Sequence, residues 1–380
     1  MFWKRRTYLD SAAGMSGNPS SPHSDGRRAK QVLEDARTAI ARLVEVQSDD
    51  VIFTSGATES NALAILGYAR ALRARDSGRI HMLYLPSAHA SVVEQMKMLA
   101  EEGVADIEAL PIRDARVDTE ALAKMLRPET VLVSMDAVCG ETGVVWNTRE
   151  VASALREPSR AKRGIALHAD ASQAPLTEKF SRAHFDADLL TFDASKVGSV
   201  RGIGALVAHR TIPLAPLYRG GGQERGVRPG SEAPELAREF AALLGAAAHG
   251  RDAFRASAMR MRAQLTARIT GTIPDVYINE GRAQAPHILN LSLPGRDTDY
   301  LVALLDEAGF AVATRSACET DSEEGSRAVF ALTGDRERAR ATLRISWAPR
   351  PRGGVRPSEL RRFAGVLVRA VAFIDSTRLG

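Results

Sequence analysis

The feature that most limits the fold is a series of short apolar segments, each followed by a stretch whose apolar residues recur at helical spacing. Val51–Thr54, Ile80–Leu85, Ala105–Leu110, Thr130–Met135, Gly164–Ala169, Ala187–Phe192 and Ile203–Ala208 read as strands bounded by turn residues. Between most of them the pattern is helical. Ahead of the first, Ser24 is placed to cap a helix whose Val32, Leu33, Ala36, Ile40, Leu43 and Val44 share one face. Alternation of this kind predicts an α/β fold with a mostly parallel central sheet and helices on both faces. After Pro213 the texture changes. A glycine- and arginine-rich loop leads to an alanine-rich helix from about Pro234 to Ala248. Two helices and the short strands His287–Leu291, Ala311–Thr314 and Ala341–Trp347 then suggest a smaller α+β domain ended by a helix over Ser358–Phe373. The expected division is a large domain over 1–250 and a small one over 251–380. The first twenty or so residues are candidates to pack on the small domain.

At 380 residues the chain is long enough for two domains with full cores. Its net charge of +5 is spread along the sequence, and only 5% of residues are aromatic. That excludes the clustered basic face with interleaved aromatics that direct nucleic-acid binding needs, and leaves a mild bias toward anionic ligands. No apolar core follows the basic residues at the start, and no run of eighteen apolar residues occurs, so a cytoplasmic protein without a membrane anchor is expected. Two cysteines, Cys139 and Cys318, cannot build a disulfide scaffold or a paired-cysteine metal site. The histidines show no metal-ligand spacing, so no metal is expected.

Chemistry concentrates at strand ends. Lys196 lies between the strand Ala187–Phe192 and a glycine-rich turn running to Gly204. Taken alone such a lysine is a solvated surface residue. Desolvated at a sheet rim, it is the amine that condenses with an aldehyde, and pyridoxal 5'-phosphate is the obvious aldehyde. Asp170, 26 positions upstream at the end of Gly164–Ala169, is placed to keep a pyridine nitrogen protonated, so that the ring acts as an electron sink. The turn Ser55–Asn61 after the first strand is either an ordinary capped turn or an anion site. Arg219–Ser231, with three arginines and five glycines, is either a flexible linker or a ligand-contacting loop. Cys139 reads as a small buried apolar residue. Cys318 lies in the polar run Cys-Glu-Thr-Asp-Ser-Glu-Glu-Gly-Ser, which suits an exposed loop and a reactive thiol.

Ten stretches in order carry a resemblance over nearly the whole chain: Tyr8–Asp10, Gly17–Ser21, Phe53–Asn61, His89 in Ala-His-Ala-Ser-Val, Glu141–Gly143, Asp170–Gln173, Lys196, Arg219–Ser231, Ser316–Cys318 and Leu343–Ser346. Together they resemble the cysteine desulfurases of the class V aminotransferase superfamily, pyridoxal phosphate enzymes of fold type I. The resemblance implies that Lys196 carries the cofactor aldehyde and moves protons at the substrate α-carbon. It implies that Asp170 pairs with the pyridine nitrogen, Gln173 donates to the ring oxygen and His89 stacks on the ring. Thr58, with the Ala57 and Thr58 amides and Ser195, would hold the phosphate, and Ser231 would reach the phosphate of a partner subunit. Arg344 would clamp the substrate carboxylate, and Cys318 would take the sulfur of L-cysteine as a persulfide, leaving L-alanine. A homodimer and a sulfur-acceptor protein, either an iron–sulfur scaffold or a thiolation enzyme, are implied as partners.

The sequence departs from that family at three site positions. Ser195 replaces a histidine before the lysine, and Gly140 replaces an asparagine, removing a hydrogen bond worth about 0.5–1.5 kcal/mol. Asp193 stands where a phosphate-binding serine is usual, so its carboxylate is expected to point away or to be compensated by Arg201 or another cation. Other readings of the same residues are a class V aminotransferase, a selenocysteine lyase, or a catalytically silent relative acting as a binding subunit.

Overall fold

A computed structural model describes residues 7–75, 78–157, 164–314, 325–350 and 354–377. Its strands are β1 (Val51–Thr54), β2 (Ile80–Tyr84), β3 (Ala105–Ala109), a small hairpin of β4 (Ile112–Arg113) and β5 (Arg116–Val117), β6 (Thr130–Asp136), β7 (Ala166–Asp170), β8 (Leu189–Asp193), β9 (Gly204–Ala208), β10 (Tyr277–Ile278), β11 (Ile288–Ser292) and β12 (Thr342–Ser346). Its helices are α1 (Ser24–Val44), α2 (Ala57–Ala62), α3 (Tyr68–Arg73), α4 (Ala90–Glu101), α5 (Thr119–Met125), α6 (Thr148–Arg156), α7 (Arg182–Phe185), α8 (Pro234–Thr270), α9 (Thr298–Glu307), α10 (Arg327–Thr333), α11 (Arg336–Arg340) and α12 (Pro357–Thr377).

The central sheet has the order β1-β9-β8-β7-β6-β2-β3. Only β9 runs against its neighbours, pairing antiparallel with both β1 and β8; the other pairings are parallel. The mostly parallel sheet read from the sequence is therefore the one observed. Strands β1, β6, β7 and β9 are buried along their whole length, which is why they read as apolar runs without alternation. The carboxyl ends of β1, β6, β7 and β8 lie at one edge of the sheet, where α/β proteins bind ligands.

A polar bridge crosses this apolar sheet. His168, fully buried on β7, shares a hydrogen bond of 2.8 Å with Ser134 Oγ on β6 and one of 3.1 Å with Thr191 Oγ1 on β8. A neutral imidazole satisfies both hydroxyls, with one nitrogen donating and the other accepting. Burial depresses its pKa to about 4.

Three details differ from the sequence reading. The cap of α1 is His23, whose ring nitrogen accepts the Gly26 amide at 3.2 Å, and Ser24 is the first helical residue. The helix from Pro234 does not stop near Ala248 but continues to Thr270, so residue 250 falls inside α8. Gly250 costs about 1 kcal/mol relative to alanine, too little to break a helix whose next turns bury apolar side chains. Buried residues form two clusters. Ala237, Phe240, Leu244 and Ala247 of α8 join the larger one around the central sheet. Ala258, Met261, Leu265 and Ile269 join a second with α9, α12, β11 and β12. The three-stranded sheet β10-β11-β12 is antiparallel. Within the expected strand Ala311–Thr314, Ala313 makes a single bridge to Arg344.

The histidine bridge gives the fold an acid limit. Unfolded, His168 takes a proton near pH 6.5; folded, it resists until about pH 4, so between these values the unfolded chain binds more protons and stability rises with pH. The contribution is complete above pH 6.5 and is lost as the pH falls to 4, on the order of 3 kcal/mol for this residue. Urea unfolding at pH 7 and at pH 4.5 should show that loss, and His168→Gln should shrink it; an unchanged acid slope in the variant would refute the assignment.

Candidate active site

A cavity of about 260 Å³ opens at the carboxyl edge of the central sheet, and β6, β7 and β8 each deliver a side chain to it. Asp136 ends β6, Asp170 ends β7, and Asp193 ends β8 immediately before the short turn carrying Lys196. All four line the cavity. In-register pairing of β6 with β7 sets Asp136 directly beside Asp170.

Asp170 is buried and held from two sides. Asn61 Nδ2 donates to its Oδ2 at 2.8 Å, and the Ser172 amide donates to its Oδ1 at 2.9 Å. The same Asn61 amide donates to Ser91 Oγ at 2.8 Å, and Ser91 Oγ lies 2.8 Å from His89 Nδ1. His89 caps α4, its Nδ1 accepting the Ser91 amide at 3.1 Å, and it also lines the cavity. Capping and a place in the cavity lining coincide in one residue. An Nδ1 that accepts leaves the proton of neutral His89 on Nε2.

Gly140, Gln173 and Arg344 also line the cavity. A Cβ at Gly140 would fall 2.9 Å from Gln173 Nε2, the mobile end of a side chain that can shift to accommodate it. Arg344, on β12, donates from Nη1 to the Gly140 carbonyl at 3.3 Å. Cys139 is buried, and desolvation, reinforced by Asp136, raises its thiol pKa to about 11, so it is an inert packing residue.

Thr58 and Ala57 line the cavity at the turn after β1. Asp193 does not point away from that turn. Its Oδ2 accepts the Ala57 amide at 2.8 Å, while its Oδ1 accepts the Ser195 amide at 2.8 Å and the Ser195 hydroxyl at 2.6 Å. Ser195 thus faces Asp193 and is not part of the cavity lining. Gly204 permits this approach of β9 and the turn, since a Cβ there would fall 2.7 Å from Gly56 Cα.

The loop Arg219–Ser231 is fastened to the large core by two carboxylates. Glu224 accepts both terminal nitrogens of Arg37, at 2.8 and 2.7 Å, and the Phe53 amide at 2.9 Å. Glu59 accepts Arg228 Nε and the Tyr218 hydroxyl, both at 3.1 Å. Glu224 and Arg225 take left-handed backbone angles within this loop, φ 46° and 61°. Ser231 is exposed and absent from the cavity lining. Cys318 lies outside the described residues.

Among the charged residues of the cavity lining, sequence reasoning missed Asp136 and Arg327. Asp136 could have been found by the rule that found Asp170, a lone acid ending an apolar strand. Burial, then the neighbouring Asp170, raises its carboxyl well above the usual range. Arg327, the first residue of α10, donates from Nη2 to the Ala88 carbonyl at 3.0 Å. Nothing local in the sequence marks it.

Comparison with known proteins now has a geometry to meet. The class-V aminotransferase family pattern matches residues 6–349. The chain belongs to that family. It is 33% identical to cysteine desulfurase IscS 1 of Archaeoglobus fulgidus over 87% of this chain and 84% of the relative. It is 32% identical to cysteine desulfurase IscS of Methylococcus capsulatus over 87% of this chain and 80% of that protein. Among solved structures, a NifS-like protein superposes with a TM-score of 0.84 at 25% identity, covering 94% of this chain and 92% of the other. DndA from Streptomyces lividans does so with a TM-score of 0.73 at 33% identity, covering 88% and 92%. The fold is the one these structures share.

The cavity lining fits the ring of a pyridine aldehyde. A doubly oriented carboxylate, Asp170, and an amine, Lys196, line the same space. Two buried hydroxyls on its wall, Ser87 Oγ and Ser172 Oγ, have no hydrogen-bond partner among the described residues, so polar capacity is left for a ligand.

Because Asp136 holds a proton more tightly folded than unfolded, it costs stability as pH rises above the ordinary carboxylate range. Asp136→Asn, which mimics the protonated form, should be more stable than the parent, and by a wider margin at pH 8 than at pH 5. Urea unfolding at the two pH values checks this; a margin independent of pH would show that the carboxyl is ionised throughout.

Proposed function

We propose that this chain is a pyridoxal 5'-phosphate-dependent cysteine desulfurase, converting L-cysteine to L-alanine with a persulfide formed on Cys318 and passed to an acceptor. The observation that carries the reading is the convergence of Lys196, Asp170 and Arg344 on one cavity of about 260 Å³. Relatives covering most of the chain at 32–33% identity bear that name.

Bound cofactor supplies an electron sink for cleavage at the substrate carbons. The residues of the chain bind, orient and move protons around it. Asp170, fixed by Asn61 and Ser172, holds the proton on the ring nitrogen. Lys196 would hold the aldehyde carbon until the substrate amine displaces it, and the freed amine would then take or return the proton at the substrate α-carbon. Gln173 donates to the ring oxygen, and His89, oriented through Ser91 and Asn61, stacks on the ring. Arg344 supplies a planar two-pronged donor to the substrate carboxylate. The Cys318 thiolate attacks the substrate sulfur. The carbon–sulfur bonding pair stays with the carbon fragment, which takes up a proton and leaves as alanine, while a sulfur–sulfur bond forms on the enzyme.

A homodimer is part of this proposal. Ser231 resembles a residue that completes the partner's site, and its exposed place away from its own cavity, on a firmly anchored loop, supports that. The acceptor is an iron–sulfur scaffold or a thiolation enzyme. Among the described residues no helix is long and apolar enough to cross a membrane, which agrees with a proposed cytoplasmic location.

Purified protein should be yellow and should release equimolar sulfide and alanine from L-cysteine in the presence of a thiol. Lys196→Ala should lose the visible absorption band, and Cys318→Ala should keep the band but lose sulfide release. A Cys318→Ala enzyme that turns over amino acids undiminished would point to a transaminase instead. Arg344→Lys should raise KM for cysteine about 10- to 100-fold, the loss of one charge-assisted hydrogen bond, with a smaller effect on kcat.

A further inference from the structure

The turn that would receive the cofactor's phosphate already holds an anion belonging to the chain. Asp193 Oδ2 takes the Ala57 amide, and its Oδ1 takes both the amide and the hydroxyl of Ser195. Three donors otherwise available to a phosphate are thereby satisfied internally. The carboxylate reaches so far into the turn that a Cβ on Gly56, whose φ is +149°, would come within 3.1 Å of Oδ2. Its hydrogen-bond donors are backbone amides and a hydroxyl, and the cavity arginines are turned elsewhere, Arg344 toward Gly140 and Arg327 toward Ala88. A phosphate dianion brought to the Ala57 amide would meet this carboxylate at contact distance; among the described residues Asp193 pairs with amides and a hydroxyl and with no cation, and like charges in a partly desolvated site repel strongly.

We propose that Asp193 is a specificity-determining residue of cofactor binding: it acts as a built-in anion in the phosphate turn, so that the site selects its aldehyde through ring and carbonyl and discriminates little between pyridoxal 5'-phosphate and pyridoxal. The inference rests on the cofactor reading above and deepens it. The enzyme would then draw on the unphosphorylated aldehyde as well as the phosphorylated one, and its reliance on the phosphate for affinity is small. Replacing the carboxylate by a neutral hydroxyl frees the Ala57 amide and removes the repelling charge.

The test uses the full chain freed of cofactor with hydroxylamine and titrated separately with pyridoxal 5'-phosphate and pyridoxal, read by the visible absorption band of the bound aldehyde and by Tm. In the wild type the two dissociation constants should agree within about 10-fold, and Asp193→Ser should tighten the phosphate ester about 10- to 100-fold while moving pyridoxal less than about 3-fold. Asp193→Asn, which keeps the cap of the following turn but not the charge, should fall between. Without ligand, Asp193→Ser should melt lower than the wild type, because the Ala57 amide loses its acceptor; saturating inorganic phosphate should raise its Tm and leave the wild-type Tm unchanged.

The proposal is overturned if the wild type prefers the phosphate ester as strongly as the serine variant does, if Asp193→Ser weakens that ester more than pyridoxal, or if inorganic phosphate stabilises both proteins alike. If neither aldehyde gives a band with any of the proteins while inorganic phosphate still separates them, the cofactor reading fails and the role of Asp193 as the resident anion stands.

Discussion

Everything in the site depends on the alignment of three parallel strands, and one buried imidazole ties them together. His168 bonds a hydroxyl on each neighbouring strand, so β6, β7 and β8 are locked in register two residues or so before the chain leaves the sheet. A slip of one residue would leave these buried polar groups unpaired at a cost of several kcal/mol, and would turn the terminal acids out of the cavity. Specification of the sheet and positioning of Asp136, Asp170 and Asp193 are thus the same physical event.

Those acids carry unequal duties because their surroundings differ. Asp170 receives two donors and stands ready to face a cation. Asp136, beside it and buried, is pushed toward its protonated form by burial and then by Asp170. Asp193 instead satisfies its charge with backbone amides and a hydroxyl. Lys196, Arg327 and Arg344 line the same space, so the cavity is a mixed-charge pocket in which the positions of fixed dipoles, rather than net charge, decide what is bound.

Strand periodicity made the sheet legible, and the habit of α/β proteins to place chemistry at strand ends made Lys196 and Asp170 legible. Asp136 escaped only because the apolar run was ended at Met135, one residue early. The reach of Asp193 could not be read, since its partner amide at Ala57 is 136 positions away and only the fold brings the two together. The loop Arg219–Ser231 looked soft from its glycines. Glu224 and Glu59 fasten it through arginine contacts to α1 and from the loop itself, and such distant pairings leave no local trace. The unbroken α8 was likewise hidden, because a glycine near its midpoint resembles a stop signal and the packing that overrides it lies on other elements.

That continuous helix has a mechanical meaning. Its first half is embedded in one apolar cluster and its second half in the other, so it acts as a shared spine rather than a joint. Neither half of the molecule can melt without exposing part of the other's support, which favours a single cooperative collapse over independent loss of the parts. Any shift of the strand bearing Arg344 relative to Lys196 must therefore come from slight bending of a stiff rod, and small angles at its middle become displacements at the cleft.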